Sequence, residues 1–199
     1  ANGSEMVIEP IMRRIKPMIM GQSALDIGGI WNRMWGLAPH RNLPPVAIGA
    51  IDVALWDIAG KAAGMPVHRL LGTCRNRVAA YASSATHESP GQYVDEALKY
   101  QSEGYSAYKI HPHGIPQRDV EVCRAVRRAV GDEMVLMLDP VAWYNYETAL
   151  RVGRVLEELN YYWFEEPLPD SDIYGLSKLC RDLDIPVIAT ESTPLGFYG

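Results

Sequence analysis

The sequence is poor in cysteine, and it contains no long apolar run that could cross a membrane. The three cysteines, Cys74, Cys123 and Cys180, are far apart and odd in number, which argues against a disulfide framework and a cysteine metal site. Cys123 and Cys180 lie on the apolar faces of predicted helices, so we expect both to be buried. No stretch resembles a signal peptide, because charged residues interrupt the apolar segment at residues 6–20. We therefore expect a cytoplasmic protein.

An excess of basic residues is also absent. The 24 acidic side chains outnumber the 19 basic ones and give a formal net charge of -5 at pH 7. Nucleic acids and anionic membranes bind basic surfaces, so we expect neither as a partner. A small anionic substrate is compatible with this charge, because a bound metal and one lysine can reverse the field locally.

The N-terminal third has a helical pattern. Apolar residues recur at helical spacing over residues 8–15, and a break follows at Pro17 and Gly21. The pattern then predicts a helix at residues 24–36, a loop at residues 36–45 and a second helix at residues 47–63.

From residue 78 onward, short apolar segments alternate with amphipathic segments. The predicted strands lie at residues 78–83, 107–111, 135–139, 161–165 and 187–191. The predicted helices lie at residues 90–103, 117–130, 147–159 and 173–183. Such alternation favours parallel strands joined by right-handed crossovers. Five units at intervals of about 26 to 30 residues predict an α/β fold, a (β/α) TIM-like barrel, with a doubly wound open sheet as the alternative.

Three successive predicted strands each end in a carboxylate. Asp139, Glu165 and Glu191 follow one another at intervals of 26 residues. Because the C-terminal ends of barrel strands meet at one mouth, we expect these side chains to converge. Clustered carboxylates repel one another unless a cation compensates them, and hard divalent cations prefer oxygen ligands. The sequence therefore predicts a Mg²⁺ site, with Mn²⁺ as the alternative cation.

Strand alternation assigns side chains to faces. Lys109 and His111 share one face of the second strand. The same rule pairs Met137 with Asp139, Trp163 with Glu165, and Ala189 with Glu191. If all four sets point into the barrel, Lys109 and His111 face the three carboxylates. They could then remove, or assist the removal of, a proton alpha to a metal-bound carboxylate.

At these residues the sequence resembles the mandelate racemase/muconate lactonizing enzyme branch of the enolase superfamily. The segment from Ala50 to Gly72 is similar to the linker signature of that branch. Three further segments match its motifs in order and spacing: Asp139, Glu165-Glu166-Pro167 and Ala189-Thr190-Glu191-Ser192. The resemblance covers residues 5–192, which is nearly the whole chain.

The resemblance implies two domains. Residues 1–72 would be the C-terminal, helical part of an α+β capping domain with its linker helix. Residues 73–199 would be the N-terminal portion of a modified (β/α) barrel that carries the metal site. Five strands cannot close an eight-stranded barrel, so we expect the chain to be a fragment.

The resemblance also implies residue roles. Asp139, Glu165 and Glu191 would bind Mg²⁺, and Lys109 and His111 would be catalytic. The branch commonly carries Lys-x-Lys on the second strand, so His111 takes the position of the usual base and Lys109 would hold the substrate's charge. The opposite assignment stays open. We expect Lys109 and the metal to favour the neutral, proton-accepting form of His111.

A second departure from the branch follows the third strand. The usual Asp-x-Asn is Asp139-Pro140-Val141 here, which removes a polar group two residues past the predicted ligand. Beside the predicted ligand Glu165, we interpret Glu166 as a structural contact.

Together these features predict an enzyme, a Mg²⁺-dependent lyase or isomerase. It would abstract the proton alpha to a carboxylate via a metal-stabilised enediolate. Dehydration of an acid sugar is the expected outcome at the level of the family. A racemase, epimerase or cycloisomerase is the alternative within the same chemistry, and a non-catalytic scaffold is the alternative outside it. We expect a small-molecule carboxylate as the substrate and a homo-oligomer as the assembly.

Overall fold

The computed structural model describes residues 4–41, 43–189 and 191. The chain divides into two compact units, with the boundary between Val78 and Ala79. Among the described helices, none combines the length and the apolarity that crossing a membrane requires.

The first unit is helical. Its α-helices are α1 (Ser4–Pro10), α2 (Lys16–Ile19), α3 (Ile27–Arg41), α4 (Pro45–Ala63) and α5 (Val67–Leu70), with a π-helical segment at Ile11–Ile15 between α1 and α2. The helical path runs through Pro17 and ends before Gly21, whose φ is 82°. The core of this unit consists of Ile15, Ile30, Met34, Leu43, Ala47, Ile48 and Leu55. Proline at its first position and a left-handed Gly64 after its last set the ends of α4.

The prediction for α3 was wrong at both ends. The helix begins at Ile27, because Asp26 precedes it and accepts a hydrogen bond from the amide of its first turn. It continues to Arg41, so most of the predicted loop at residues 36–45 is helical. The helix therefore passes through Gly36, where the prediction ended it. One glycine costs about 1 kcal/mol in a helix, and the burial of Ile30 and Met34 on α3 outweighs that cost.

The second unit is a parallel sheet with helices. Its strands are β1 (Ala82–Ser83), β2 (Ala107–Ile110), β3 (Val135–Leu138), β4 (Trp163–Glu165) and β5 (Val187–Ile188). Its helices are α6 (Pro90–Ser102), α7 (Pro116–Val130), α8 (Tyr146–Glu158) and α9 (Ile173–Asp182). The strands lie in the order of the sequence, and each adjacent pair is parallel. This order confirms the (β/α) prediction, because a doubly wound sheet reverses its strand order at a switch point.

The sheet has two distinct faces. The helix-facing side of the central strands carries Tyr108, Ile110, Leu136, Leu138 and Phe164, all fully buried in a core shared with α6 to α9. The site-facing side carries Lys109, Met137 and Trp163 in one row of register partners, and Asp139 and Glu165 further along. The period of two along each strand therefore separates the apolar core from the charged residues.

The two edge strands are shorter than predicted. We expected strands at residues 78–83 and 187–191, whereas the strands of the structure are Ala82–Ser83 and Val187–Ile188. Among the described strands, each edge strand has a partner on one side only. Fewer ladder hydrogen bonds are then available to hold the outer residues in extended conformation.

One of the two cysteine predictions was wrong. Cys123 on α7 is fully buried, as expected, whereas Cys180 on α9 is exposed. The helix α9 buries Leu176 and Leu179, and Cys180 lies on the flank of that stripe.

Candidate active site and metal centre

Lys109 joins two carboxylates at the C-terminal ends of neighbouring strands. Its Nζ lies 3.0 Å from Asp139 Oδ2 and 2.8 Å from Glu165 Oε1. Lys109 and Asp139 are only 6% and 3% exposed. The register explains the convergence, because Lys109 is aligned with Met137 and Trp163, each two residues before a carboxylate. A buried ion pair of this kind needs both partners, since either charge alone would be costly.

His111 lies beside the same aspartate. Its Nε2 is 3.0 Å from Asp139 Oδ2, and its Nδ1 is 3.0 Å from the main-chain carbonyl oxygen of Ser84. The structure therefore brings both sequence-predicted catalytic residues to Asp139, on the side of the sheet opposite the helices.

The three predicted carboxylates converge. One oxygen atom from each of Asp139, Glu165 and Glu191 lies within 4.8 Å of the others. This set consists of oxygen donors alone, with a buried, a half-buried and an exposed member. Hard divalent cations prefer such donors, so the residues present fit a cation of this kind.

The backbone that places Glu191 at the site differs from the prediction. Glu165 is the register partner of Ile188, so Ile188 shares the site-facing side. Ala189 packs against the helix-side core instead. The alternation that paired Ala189 with Glu191 was wrong, because Val187 and Ala189 both lie on the helix side and Glu191 lies beyond the end of β5 at Ile188. Beyond the strand, the main-chain N–H of Glu191 donates to Glu166 Oε1 at 2.7 Å.

Glu166 therefore makes the kind of structural contact that we expected from its sequence position. It is 4% exposed and has a positive φ of 39°. Burial raises the pKa of its carboxyl group, while the hydrogen bond from Glu191 opposes that change. Its role in the structure is to fix the main chain that presents Glu191.

The electrostatics of the site are set by mutual pairing. Burial alone would lower the pKa of Lys109, but its hydrogen bonds to Glu165 and Asp139 outweigh burial and raise it. Burial likewise would raise the pKa of Asp139, whereas hydrogen bonds from His111 and Lys109 bring it below its ordinary value.

The expectation that Lys109 and a metal favour neutral His111 concerns the metal-bound site and stays a prediction for that state. The hydrogen bond with Asp139 raises the pKa of His111 and outweighs both burial and the repulsion from Lys109. Lys109 has little influence because its ammonium is directed at two carboxylates. Asp139 thus favours the protonated ring in this structure.

The loop after β3 has an unusual backbone. Val141 and Ala142 have φ values of 50° and 63°, in the left-handed region that a β-branched residue rarely adopts. The N–H of Val141 donates to Asp139 Oδ1 at 3.1 Å, and the N–H of Ala142 donates to the carbonyl of Glu166 at 2.7 Å. These two hydrogen bonds stabilise the strained turn. The first orients the carboxylate of Asp139, and the second connects the loop to Glu166, directly after β4.

Two residues near the site, Ser84 and Tyr93, were missed by the sequence analysis, and the hydrogen bond of a third, Trp163, was not predicted. Ser84 and Tyr93 both hydrogen-bond to His111, and Trp163 Nε1 donates to Glu165 Oε2 at 2.9 Å. Alternation did place Trp163 on the same face as Glu165. For Ser84 and Tyr93 the local sequence carries no comparable signal, because their partner is 27 and 18 positions away along the chain.

Two family models match the chain. Residues 1–72 match the mandelate racemase/muconate lactonizing enzyme N-terminal domain, and residues 92–194 match the enolase C-terminal domain-like model. The second model alone covers more than half of the chain.

Individual proteins agree with the family models. L-talarate/galactarate dehydratase of Salmonella typhimurium is 34% identical over 90% of this chain and 46% of its own length. A magnesium complex of D-glucarate dehydratase from Agrobacterium tumefaciens has a TM-score of 0.87 and 31% identity, over 93% of this chain and 52% of that one. The 3,6-anhydro-D-galactonate cycloisomerase from Zobellia galactanivorans has a TM-score of 0.86 and 33% identity, over 94% and 54%.

The chain spans about half the length of the curated relatives that it matches. Within that span, the order of strands, the converging carboxylates and both family models agree. The chain belongs to the mandelate racemase/muconate lactonizing enzyme branch of the enolase superfamily.

Proposed function

We propose that this chain belongs to a Mg²⁺-dependent enzyme that removes the proton alpha to the carboxylate of an acid sugar and dehydrates it. The observation that carries the proposal is the junction at Asp139, where Lys109 and His111 meet a carboxylate that also lies near Glu165 and Glu191. Asp139, Glu165 and Glu191 would hold the cation. In this scheme residues 1–72 belong to a capping domain and residues 73–199 to the barrel.

Each residue has a separate task in the proposed reaction. A bound divalent cation supplies Lewis-acid polarisation of the substrate carboxylate, which makes the neighbouring C–H more acidic. With Asp139 engaged by the cation, His111 would be neutral; its Nε2 then takes the alpha proton, and the C–H electrons become the new carbon–carbon double bond as the beta hydroxyl departs. The hydroxyl needs a proton to leave as water, and in a syn elimination the protonated His111 returns it. The ammonium of Lys109 compensates the negative charge that develops on the substrate.

The position of Lys109 supports this division of labour. Its ammonium donates to two carboxylates at the ends of neighbouring strands, and this pairing favours the charged form of Lys109 over the neutral form that a base requires. His111 has one carboxylate neighbour, at Nε2, and lies at the rim with its side chain 26% exposed. The reverse assignment, with Lys109 as the base, predicts that Lys109→Ala and not His111→Ala abolishes exchange.

The test is alpha-proton exchange in heavy water. The protein expressed from its whole gene is incubated with Mg²⁺ and a panel of acid sugars, and deuterium at the alpha carbon is followed by NMR. We expect exchange and a dehydrated keto product, with both lost in Glu191→Gln. Asp57→Asn is the control, because Asp57 forms an exposed pair with Lys61 in the first unit. Full activity in Glu191→Gln would contradict the proposed metal site.

The same assay separates the second candidate function. A racemase, epimerase or cycloisomerase would exchange the alpha proton without losing water, and the structural similarity to a cycloisomerase favours testing it. We also propose a small-molecule carboxylate as the substrate, the cytoplasm as the compartment and a homo-oligomer as the assembly. Cell fractionation and analytical ultracentrifugation test the last two.

A further inference from the structure

The main chain of His111 is held on both sides by residues that the proposed reaction does not use. Its N–H donates to Ser84 Oγ at 2.8 Å, and its carbonyl accepts a hydrogen bond from Tyr93 Oη at 2.9 Å. Ser84 is 7% exposed and Tyr93 is fully buried, so solvent does not compete for these bonds. His111 thus presents its ring from a rigid backbone, although it lies just past the end of β2.

Both holding residues are themselves fixed. The N–H of Ser84 donates to the carbonyl of Lys109 at 2.8 Å, which extends the pairing of β1 with β2 beyond the last ladder residue. Tyr93 lies on α6, and its hydroxyl also accepts a hydrogen bond from the N–H of His87 at 3.0 Å. The ring of His87 packs edge-on against that of Tyr93. One anchor therefore comes from the sheet and the other from the helix layer.

The imidazole ring is held by the same serine. His111 Nδ1 lies 3.0 Å from the carbonyl oxygen of Ser84, and the hydroxyl of Ser83 is further away, at 3.4 Å. A carbonyl oxygen accepts hydrogen bonds and cannot donate, so it favours a hydrogen on Nδ1. It also covers Nδ1 and keeps that atom away from any substrate. Nε2 instead faces Asp139 Oδ2, which also accepts hydrogen bonds. A cation held by Asp139 would engage that carboxylate, so that the Ser84 carbonyl at Nδ1 would be the acceptor that sets the neutral ring.

We propose that Ser84 and Tyr93 are positioning residues that fix His111 so that Nε2 is the atom exchanging the proton with the substrate. Of the four polar groups of His111, the N–H, the carbonyl and Nδ1 are bound by Ser84 or Tyr93. Nε2 is the group directed at the metal centre. This inference rests on the proposed function for its catalytic meaning, but the orientation and the hydrogen on Nδ1 can be measured without any substrate.

The kinetic test removes each of the two hydroxyl groups that hold the main chain of His111. Ser84→Ala removes the hydroxyl that holds the N–H, and Tyr93→Phe removes the hydroxyl that holds the carbonyl. We expect each to lower kcat for alpha-proton exchange about 10- to 100-fold, because displacing a reacting group by a fraction of an ångström has effects of this size. KM and the affinity for Mg²⁺ should stay within about twofold, and Ser84→Thr should restore most of kcat because it keeps a hydroxyl.

Matched controls separate positioning from general damage. Ser102→Ala changes an exposed serine at the C-terminal end of α6, whose hydroxyl donates to the carbonyl of Lys99, and Tyr100→Phe changes another tyrosine on the same helix. Both should leave kcat unchanged. Equal kcat in Ser84→Ala, Tyr93→Phe and their controls would overturn the inference, and so would a loss of Mg²⁺ affinity that accounts for the whole effect.

Nuclear magnetic resonance of the ring nitrogens decides the assignment independently of activity. In Mg²⁺-loaded wild-type protein labelled with ¹⁵N-histidine, we expect the neutral ring of His111 to carry its hydrogen on Nδ1, identified by its loss in His111→Gln. A hydrogen on Nε2 would overturn the inference. If wild-type protein exchanges no alpha proton of any carboxylate, the proposed function fails, while this spectrum still shows whether Ser84 sets the ring.

Discussion

The two faces of the central strands differ in character, although they consist of alternate residues of the same segments. The helix-facing side carries Leu136 and Phe164 and similar residues, each fully buried against other apolar side chains. The site-facing side buries Lys109 and Asp139 almost as deeply, and their charges are compensated by one another, by Glu165 and by His111. Burial on the first side stabilises the fold, whereas burial on the second concentrates charge for chemistry.

This difference teaches which substitutions should affect stability and which should affect function. A residue on the helix-facing side can be truncated only at the cost of a cavity. A carboxylate at the mouth can be neutralised with little loss of packing, but with loss of the oxygen set that fits a cation. The following predictions test that separation.

The largest effect should come from a change at the mouth. Glu191→Gln should reduce turnover of the protein expressed from its whole gene roughly 1,000-fold, since Lewis-acid stabilisation is worth several kcal/mol. Its free energy of unfolding in urea should change by less than about 0.5 kcal/mol, because Glu191 is exposed. A large loss of stability would mean that Glu191 has a structural task.

The next effect should come from the helix-facing side. Leu136→Ala should lower the free energy of unfolding by about 2–5 kcal/mol, because Leu136 is fully buried between the sheet and the helices. Val135→Ala is the control on the same strand, since Val135 is 38% exposed and should cost far less. Equal losses in the two variants would contradict the separation of the two faces.

One ionisable residue breaks the pattern on the helix side and allows a pH test. Asp119 on α7 is fully buried and accepts a hydrogen bond from Tyr144 Oη at 2.6 Å. Burial raises its pKa, and the hydrogen bond from Tyr144 opposes this rise without cancelling it. Its ionised form is therefore destabilised in the fold. That cost is absent below the unfolded-state pKa of about 3.9, develops between that value and the higher folded-state pKa, and is complete above it.

Asp119→Asn should remove this cost and keep an acceptor for Tyr144. We expect the variant to unfold at higher urea than wild type at pH 7 and at the same concentration near pH 3. Asp95→Asn, at an exposed position on α6, should show no such divergence. A wild type that is more stable than Asp119→Asn at pH 7 would show that the carboxylate is compensated.

The smallest effect should come from the turn beside Asp139. Val141 has a φ of 50°, and asparagine tolerates the left-handed region better than a β-branched residue. Val141→Asn should therefore raise the free energy of unfolding by about 0.5–1 kcal/mol. Val78→Asn, at a 75% exposed valine in irregular backbone, should be close to neutral. A loss of stability in Val141→Asn would mean that the valine side chain makes a contact worth more than the strain.

The sequence predicted the central strands well because their two faces differ so strongly. Apolar residues at 136, 138 and 164 and charged residues at 109, 139 and 165 follow a period of two, which local sequence encodes directly. The (β/α) order followed from the alternation of strands and helices.

The edges and the supporting contacts could not be predicted in this way. Alternation does not place Glu191, which lies beyond the end of β5 at Ile188, and strand length at an edge depends on a neighbour that the local sequence does not show. The raised pKa of His111 depends on its hydrogen bond with Asp139, which only the tertiary structure brings about. Ser84 and Tyr93 belong to no motif in the sequence, and their importance follows only from the contacts with His111 that folding creates.

The most direct test of the central claim is an anomalous difference map of crystals soaked in Mn²⁺. We predict a peak roughly 2.0–2.3 Å from carboxylate oxygens of Asp139, Glu165 and Glu191, with Mn²⁺ standing in for Mg²⁺. Ordered carboxylates with no peak at saturating Mn²⁺, or a peak held by other residues, would contradict the assignment of the mouth of this sheet as a metal centre.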